Sequence, residues 1–88
     1  MPQRRNEISS QIRSEPMAYS AAYDASNNTE YEGWADPGSA QSAAVWIICK
    51  HTYDASNNHT RTQWAQSSPV PPASFDQIWD NRSSLTYV

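Results

Sequence analysis

Cys49 and His51, the only thiol and one of two imidazoles in the chain, stand two residues apart in the segment VWIICKHTY. On one face of a strand a thiol and an imidazole are neighbours, as a cysteine nucleophile and its base must be. No third residue is evident to orient the imidazole, and a lone cysteine in so apolar a run behaves as a small buried hydrophobe. An inert thiol is therefore expected. Glu30 and Glu32 form a second pair, on a strand face shared with Trp34, and two carboxylates beside an aromatic suggest glycoside chemistry. Glycosidases hold those carboxyls across a cleft, and 88 residues are too few to wall one. The pair reads as a solvated acidic face.

The hexapeptide YDASNN occurs twice, at 23–28 and 53–58, each copy followed by a Trp-Ala pair. Asp24, Ser26 and Asn28 sit where positions 1, 3 and 5 of a calcium loop would be. Position 6 of such a loop is glycine and position 12 a bidentate glutamate. Here they are Thr29 and Ala35, and His59 and Ala65 in the second copy. One carboxylate per loop is too little charge to strip water from a hard cation, so no metal and no other cofactor is expected. Asp and Ser side chains bond nearby backbone and Asn tolerates the left-handed conformation, so the repeat reads as a turn used twice. The turn-forming residues are Asp24, Asn28, Asp54 and Asn58, with Asn28 and Asn58 assigned the left-handed conformation in loops of four or five residues.

The elements around these residues follow from pattern. Val45 to Tyr53, rich in β-branched and aromatic residues, is the strongest strand signal. Alternation puts Val45, Ile47, Cys49, His51 and Tyr53 on one face and Trp46, Ile48, Lys50 and Thr52 on the other. Its first half is apolar on both faces, as in a central strand. With an offset of thirty, residues 23–35 match 53–65 at eight of thirteen positions, including Trp34 with Trp64. Two copies are too few for a stacked solenoid and fit two related hairpins. After the stiff SSPVPP connector, Ser74 and Gln77 form a capping box, and Phe75, Ile78 and Trp79 have helical spacing. That predicts a helix of about two turns ending near Asn81, then a short strand or packed terminus at 85–88.

Residues 1–16 hold only Ile8 and Ile12 as large aliphatics and end at a proline, too little to order a segment alone. They read as a flexible terminus or an arm that orders on a neighbouring subunit. The fold class expected is mainly β: a small antiparallel sheet or barrel from two related hairpins, one short C-terminal helix and an extended N-terminal arm, with residues 17–88 as a single domain.

A domain this small is marginally stable, and one cysteine excludes an internal disulfide. Assembly with other chains is the staple that remains. No apolar run approaches the length of a membrane span and no apolar core of a signal peptide is present, so no membrane is expected and the chain reads as soluble and made in a cytoplasm. The net charge is −3, and beyond residue 15 only Lys50, Arg61 and Arg82 face seven carboxylates. Nucleic acid is excluded as a partner on that ground. Aromatics make up 11% of a chain whose mean hydropathy is −0.83, so aromatics carry the core. Those left exposed serve protein interfaces or sugar stacking. Ile8, Ile12, Trp34 and Trp64 are the candidate interface residues.

The stretch YEGWADPGSAQSAAVWIICKHTYDASNN, followed by QWA and FDQIWDNRSSLTY, resembles short structural proteins of tailed bacteriophages. The motifs carrying the resemblance are Pro37-Gly38-Ser39, Ala43 to Trp46, Lys50 to Asp54, Trp64-Ala65 and Trp79 to Tyr87, and it covers residues 19–88. Gln66-Ser67 stands where that pattern has an Asp-Gly turn, and the proline-rich 69–72 is an insert. The resemblance implies a non-enzymatic virion subunit of tail, fibre, baseplate or capsid surface, present in many copies, whose partners are other copies of itself and other virion proteins. It carries no catalytic or ligand residues. The alternative is a small carbohydrate-binding module presenting Trp34, Trp64 or Tyr31 to a glycan.

Overall fold

The structure, a computed structural model, describes residues 17–68 and 70–88. The arm at 1–16, with Ile8 and Ile12, lies outside the described residues. The protein is mainly β. Four antiparallel strands, β1 (Ala18–Tyr23), β2 (Thr29–Ala35), β3 (Ala44–Tyr53) and β4 (His59–Trp64), pair in chain order. A two-residue strand β5 (Gln77–Ile78) pairs with the start of β3. The sheet is open rather than a barrel, since no pairing joins β1 to β4 among the described residues. None of these residues forms a helix long and apolar enough to cross a membrane.

The two hairpins share one register. In the first, Tyr19 faces Trp34 and Ala21 faces Glu32; thirty residues later, Cys49 faces Trp64 and His51 faces Thr62. Both ladders slip once at the same place, leaving Glu30 and Thr60 as the extra residues. Both turns close alike: Asn27 N–H donates to Asp24 C=O at 3.0 Å and Asp24 N–H to Asn28 C=O at 2.9 Å, with counterparts of 3.0 Å for Asn57 to Asp54 and for Asp54 to Asn58. The left-handed residues are Asn27 and Asn57, each with φ of 65°, not Asn28 and Asn58. The loops have the expected length, residues 24–28 and 54–58 between the strands. The left-handed step falls one residue early because Asn27 and Asn57 close a turn on the Asp C=O, and reversing there lets the next Asn C=O accept from the Asp N–H.

β3 is the central strand, flanked by β2 and β4, and Trp46 to Cys49 are buried. One face of the sheet packs Ala35, Trp46, Ile48 and Ala65 against Trp79, with Tyr31, Leu85 and Tyr87 around them. Gly33 permits this closure: a Cβ there would stand 2.7 Å from Cε3 of Trp79, so only a bare backbone lets that indole lie flat on β2.

The C-terminal segment departs from the two-turn helix expected from Ser74 and Gln77. Gln77–Ile78 is extended, and the helical part is a 3-10 helix, Trp79–Ser84, which begins later and runs past Asn81. An isolated two-turn helix has too few internal bonds to hold itself. Pairing Gln77 and Ile78 with Trp46 and Ala44 supplies ladder bonds instead and delivers Trp79 to the core. Beyond it the tail packs beside β4, where Trp64 and Val88 exchange backbone bonds of 2.9 and 3.0 Å.

Candidate functional site

The opposite face of the sheet holds the chemistry. Cross-strand pairing places Tyr19, Glu32, Trp34, Ile47, Cys49, His51, Thr62 and Trp64 on it together. Tyr19, Trp34 and Trp64 form an aromatic row with ring centroids 5.6 and 6.2 Å apart. Trp34 and Trp64 stand on strands either side of β3, so their rings lean together over it and leave Ile47 and Cys49 almost without solvent contact. Tyr19 remains 53% exposed at the row's outer end. No described element covers this face. Tyr31 points the other way and packs on Tyr87 at 5.9 Å.

Beside the row lies a polar cluster. Glu32 is directly opposite Cys49, and His51 follows Cys49 on the same face of β3. His51 Nε2 is 2.5 Å from Glu32 Oε1 and 3.6 Å from Cys49 Sγ. The other ring nitrogen, Nδ1, lies 2.9 Å from Thr62 Oγ1 and 3.2 Å from His59 Nε2. Tyr19 donates its hydroxyl hydrogen to Glu32 Oε2 at 2.6 Å. Burial acts to raise the Glu32 carboxyl, but the hydrogen bonds from Tyr19 and His51 and the pull of His51 outweigh it, leaving the group below its ordinary range. As a carboxylate it can only accept, so the hydrogen between it and His51 resides on Nε2.

That proton decides what Cys49 can do. A nucleophilic cysteine needs a bare imidazole nitrogen to take its proton, with the carboxylate on the far nitrogen. Here thiol and carboxylate meet the same nitrogen, and it carries a hydrogen. Burial, and then the Glu32 charge, push the thiol up to about 12. The arrangement does not generate a thiolate. Glu32 was expected to share its face with Glu30, but the slip in the ladder falls at Glu30, whose charge acts on Tyr31 and Tyr87 across the sheet. The acidic pair is therefore split.

The turn residues gather at one end of the sheet. Asp24 Oδ1 accepts from the N–H groups of Ser26 and Asn28, and Asp54 Oδ1 from those of Ser56 and Asn58, all at 2.9 Å. The bonds from Asn58, and then Ser56, hold the Asp54 carboxyl below its ordinary range. The two tips touch, with Asn28 Nδ2 donating to Asn57 Oδ1 at 2.9 Å. Between them is a shallow groove of about 430 Å³ bordered by Asp24, Asn28, Lys50, Tyr53 and Asp54. These carboxylates are engaged in closing their own turns.

Sequence reasoning singled out Cys49, His51, Glu32, Trp34 and Trp64, and the fold brings all five onto one face. It missed Tyr19, His59 and Thr62. The thirty-residue alignment carried a signal for Thr62, because the position equivalent to Glu32 must occupy the same face of the second hairpin. Compared with known proteins, the chain matches no family, no curated protein and no solved structure.

Proposed function

We propose that this chain is a non-enzymatic structural subunit of a tailed-bacteriophage virion, present in many copies, which joins its neighbours through the aromatic face of its sheet. One observation carries the assembly part of this reading: the two faces differ in cover. The C-terminal segment closes the Trp46 face, whereas the face bearing Tyr19, Trp34 and Trp64 has no described element over it. Large aromatics left on a flat surface are the usual anchors of protein interfaces. A second copy is the occupant favoured here, because a domain this small without a disulfide gains the stability it lacks from burial against neighbours. The virion assignment rests on the resemblance of residues 19–88. Synthesis would take place in the host cytoplasm and residence would be in the particle.

The test is the solution mass of the full chain and of a version starting at Met17, by light scattering at micromolar concentrations, with Trp34→Arg alongside. Oligomers that fall apart in Trp34→Arg support the reading. A folded monomer in all three defeats self-assembly through this face. The carbohydrate-binding alternative draws on the same row, now limited to Tyr19, Trp34 and Trp64, since Tyr31 belongs to the covered face. Saturable quenching of tryptophan fluorescence by a glycan would favour it over the structural subunit.

A further inference from the structure

We infer that Glu32, Cys49 and His51 form a binding site for a single divalent transition-metal ion of the zinc class. The whole chain contains one thiol and two imidazoles, and the fold gathers all three on one face. Thiolate, imidazole nitrogen and carboxylate oxygen are the donor types that zinc takes, and three protein ligands with one open corner is a recurrent set. Atoms of all three residues lie within 4.8 Å of one another.

The distances can be weighed against a tetrahedron. Bonds of about 2.3 Å to sulfur and about 2.0 Å to nitrogen, at the tetrahedral angle, put the two donors about 3.5 Å apart. Cys49 Sγ and His51 Nε2 are 3.6 Å apart. That edge is already set. The Glu32 to His51 edge is a hydrogen bond of 2.5 Å and must open to about 3.3 Å for two donors at about 2.0 Å. Glu32, with 24% of its side chain exposed, is the ligand with room to move.

Outer hydrogen bonds are in place as well. A metal-bound histidine holds its second nitrogen in a hydrogen bond, and a metal-bound carboxylate is held in turn. Once Nε2 binds the ion, Nδ1–H has Thr62 Oγ1 at 2.9 Å and His59 Nε2 at 3.2 Å as acceptors. Tyr19 already holds Glu32 Oε2. On binding, the sulfur–metal bond forms as the Cys49 thiol releases its proton to solvent, and the hydrogen on Nε2 is replaced by the metal while Nδ1 becomes protonated. One proton leaves per ion bound.

The experiment titrates the full, tag-free chain with Co²⁺ and then displaces it with Zn²⁺. Expected is a sulfur-to-cobalt charge-transfer band saturating at one equivalent and abolished by Zn²⁺, together with a rise in melting temperature. Glu32→Gln and His51→Gln should each weaken binding at least ~100-fold, and Tyr19→Phe or Thr62→Val about 10-fold, as loss of an outer hydrogen bond does. Cys49→Ser should remove the band. If that variant does not fold, the partly exposed Glu32→Gln, with its fold verified by circular dichroism, decides the matter. No sulfur band at millimolar Co²⁺, or equal affinity in wild type and Glu32→Gln, overturns the inference.

Discussion

The two hairpins are the same frame carrying different chemistry. Their turns close with the same hydrogen bonds, their ladders slip at the same step, and Trp34 and Trp64 occupy equivalent places. The identical residues hold the geometry. The positions where the copies differ hold the reactive groups: Tyr19 against Cys49, Ala21 against His51, Glu32 against Thr62 and Gly33 against Gln63. Neither hairpin owns the polar cluster, because Glu32 and Tyr19 come from the first and Cys49, His51 and Thr62 from the second. The shared residues set the backbone, and the differing ones set the polar cluster.

The sharpest test of this division concerns Cys49, buried where its counterpart Tyr19 is exposed. In metal-free protein at neutral pH, alkylation of Cys49 should run about three orders of magnitude slower than in the unfolded chain, since its thiol lies at about 12 against about 8.5 for a free cysteine. Mass spectrometry of timed iodoacetamide reactions reads this directly. Equal rates would mean the thiol is open and the cluster is not as described.

Exchanging the residues at positions 33 and 63 should break the equivalence asymmetrically. Gly33→Gln drives a Cβ into the Trp79 ring and should cost about 2–3 kcal/mol, whereas Gln63→Gly should cost under ~1 kcal/mol. Denaturant midpoints separate the two. The turns, by contrast, should respond alike: Asp24→Ala and Asp54→Ala each remove a carboxylate that accepts two backbone bonds, for about 1 kcal/mol apiece. A large difference between them would show that the tips are not equivalent in solution.

The acid response should be smaller and belongs to the first hairpin's Glu32. Its folded carboxyl lies below the ordinary value of 4.5, so near that pH the unfolded chain binds more protons than the folded one. The stabilisation is fully present above 4.5 and is lost as pH falls through the depressed value. Melting temperature should therefore decline on acidification more steeply in wild type than in Glu32→Gln. Identical profiles would remove Tyr19 and His51 as effective partners of this carboxylate.

The residues alone determined a good deal. The twofold turn, the β3 alternation that separates Trp46 and Ile48 from Ile47, Cys49 and His51, and the pairing of Trp34 with Trp64 all follow from backbone period and turn chemistry, which act over a few residues. The left-handed residue was a local matter too, displaced by one position because adjacent asparagines tolerate that conformation equally. What only the tertiary structure decided is whatever depends on distant partners. Phe75, Ile78 and Trp79 have helical spacing, yet β3 offers an edge and Gly33 a flat surface, so Gln77 and Ile78 extend and Trp79 enters the core. Tyr19 joins Glu32 across thirteen positions and Glu32 joins His51 across nineteen. Spacing in the sequence cannot express such contacts, because the pairing of strands creates them: two ladders must be in register before a carboxylate, a thiol and an imidazole become neighbours.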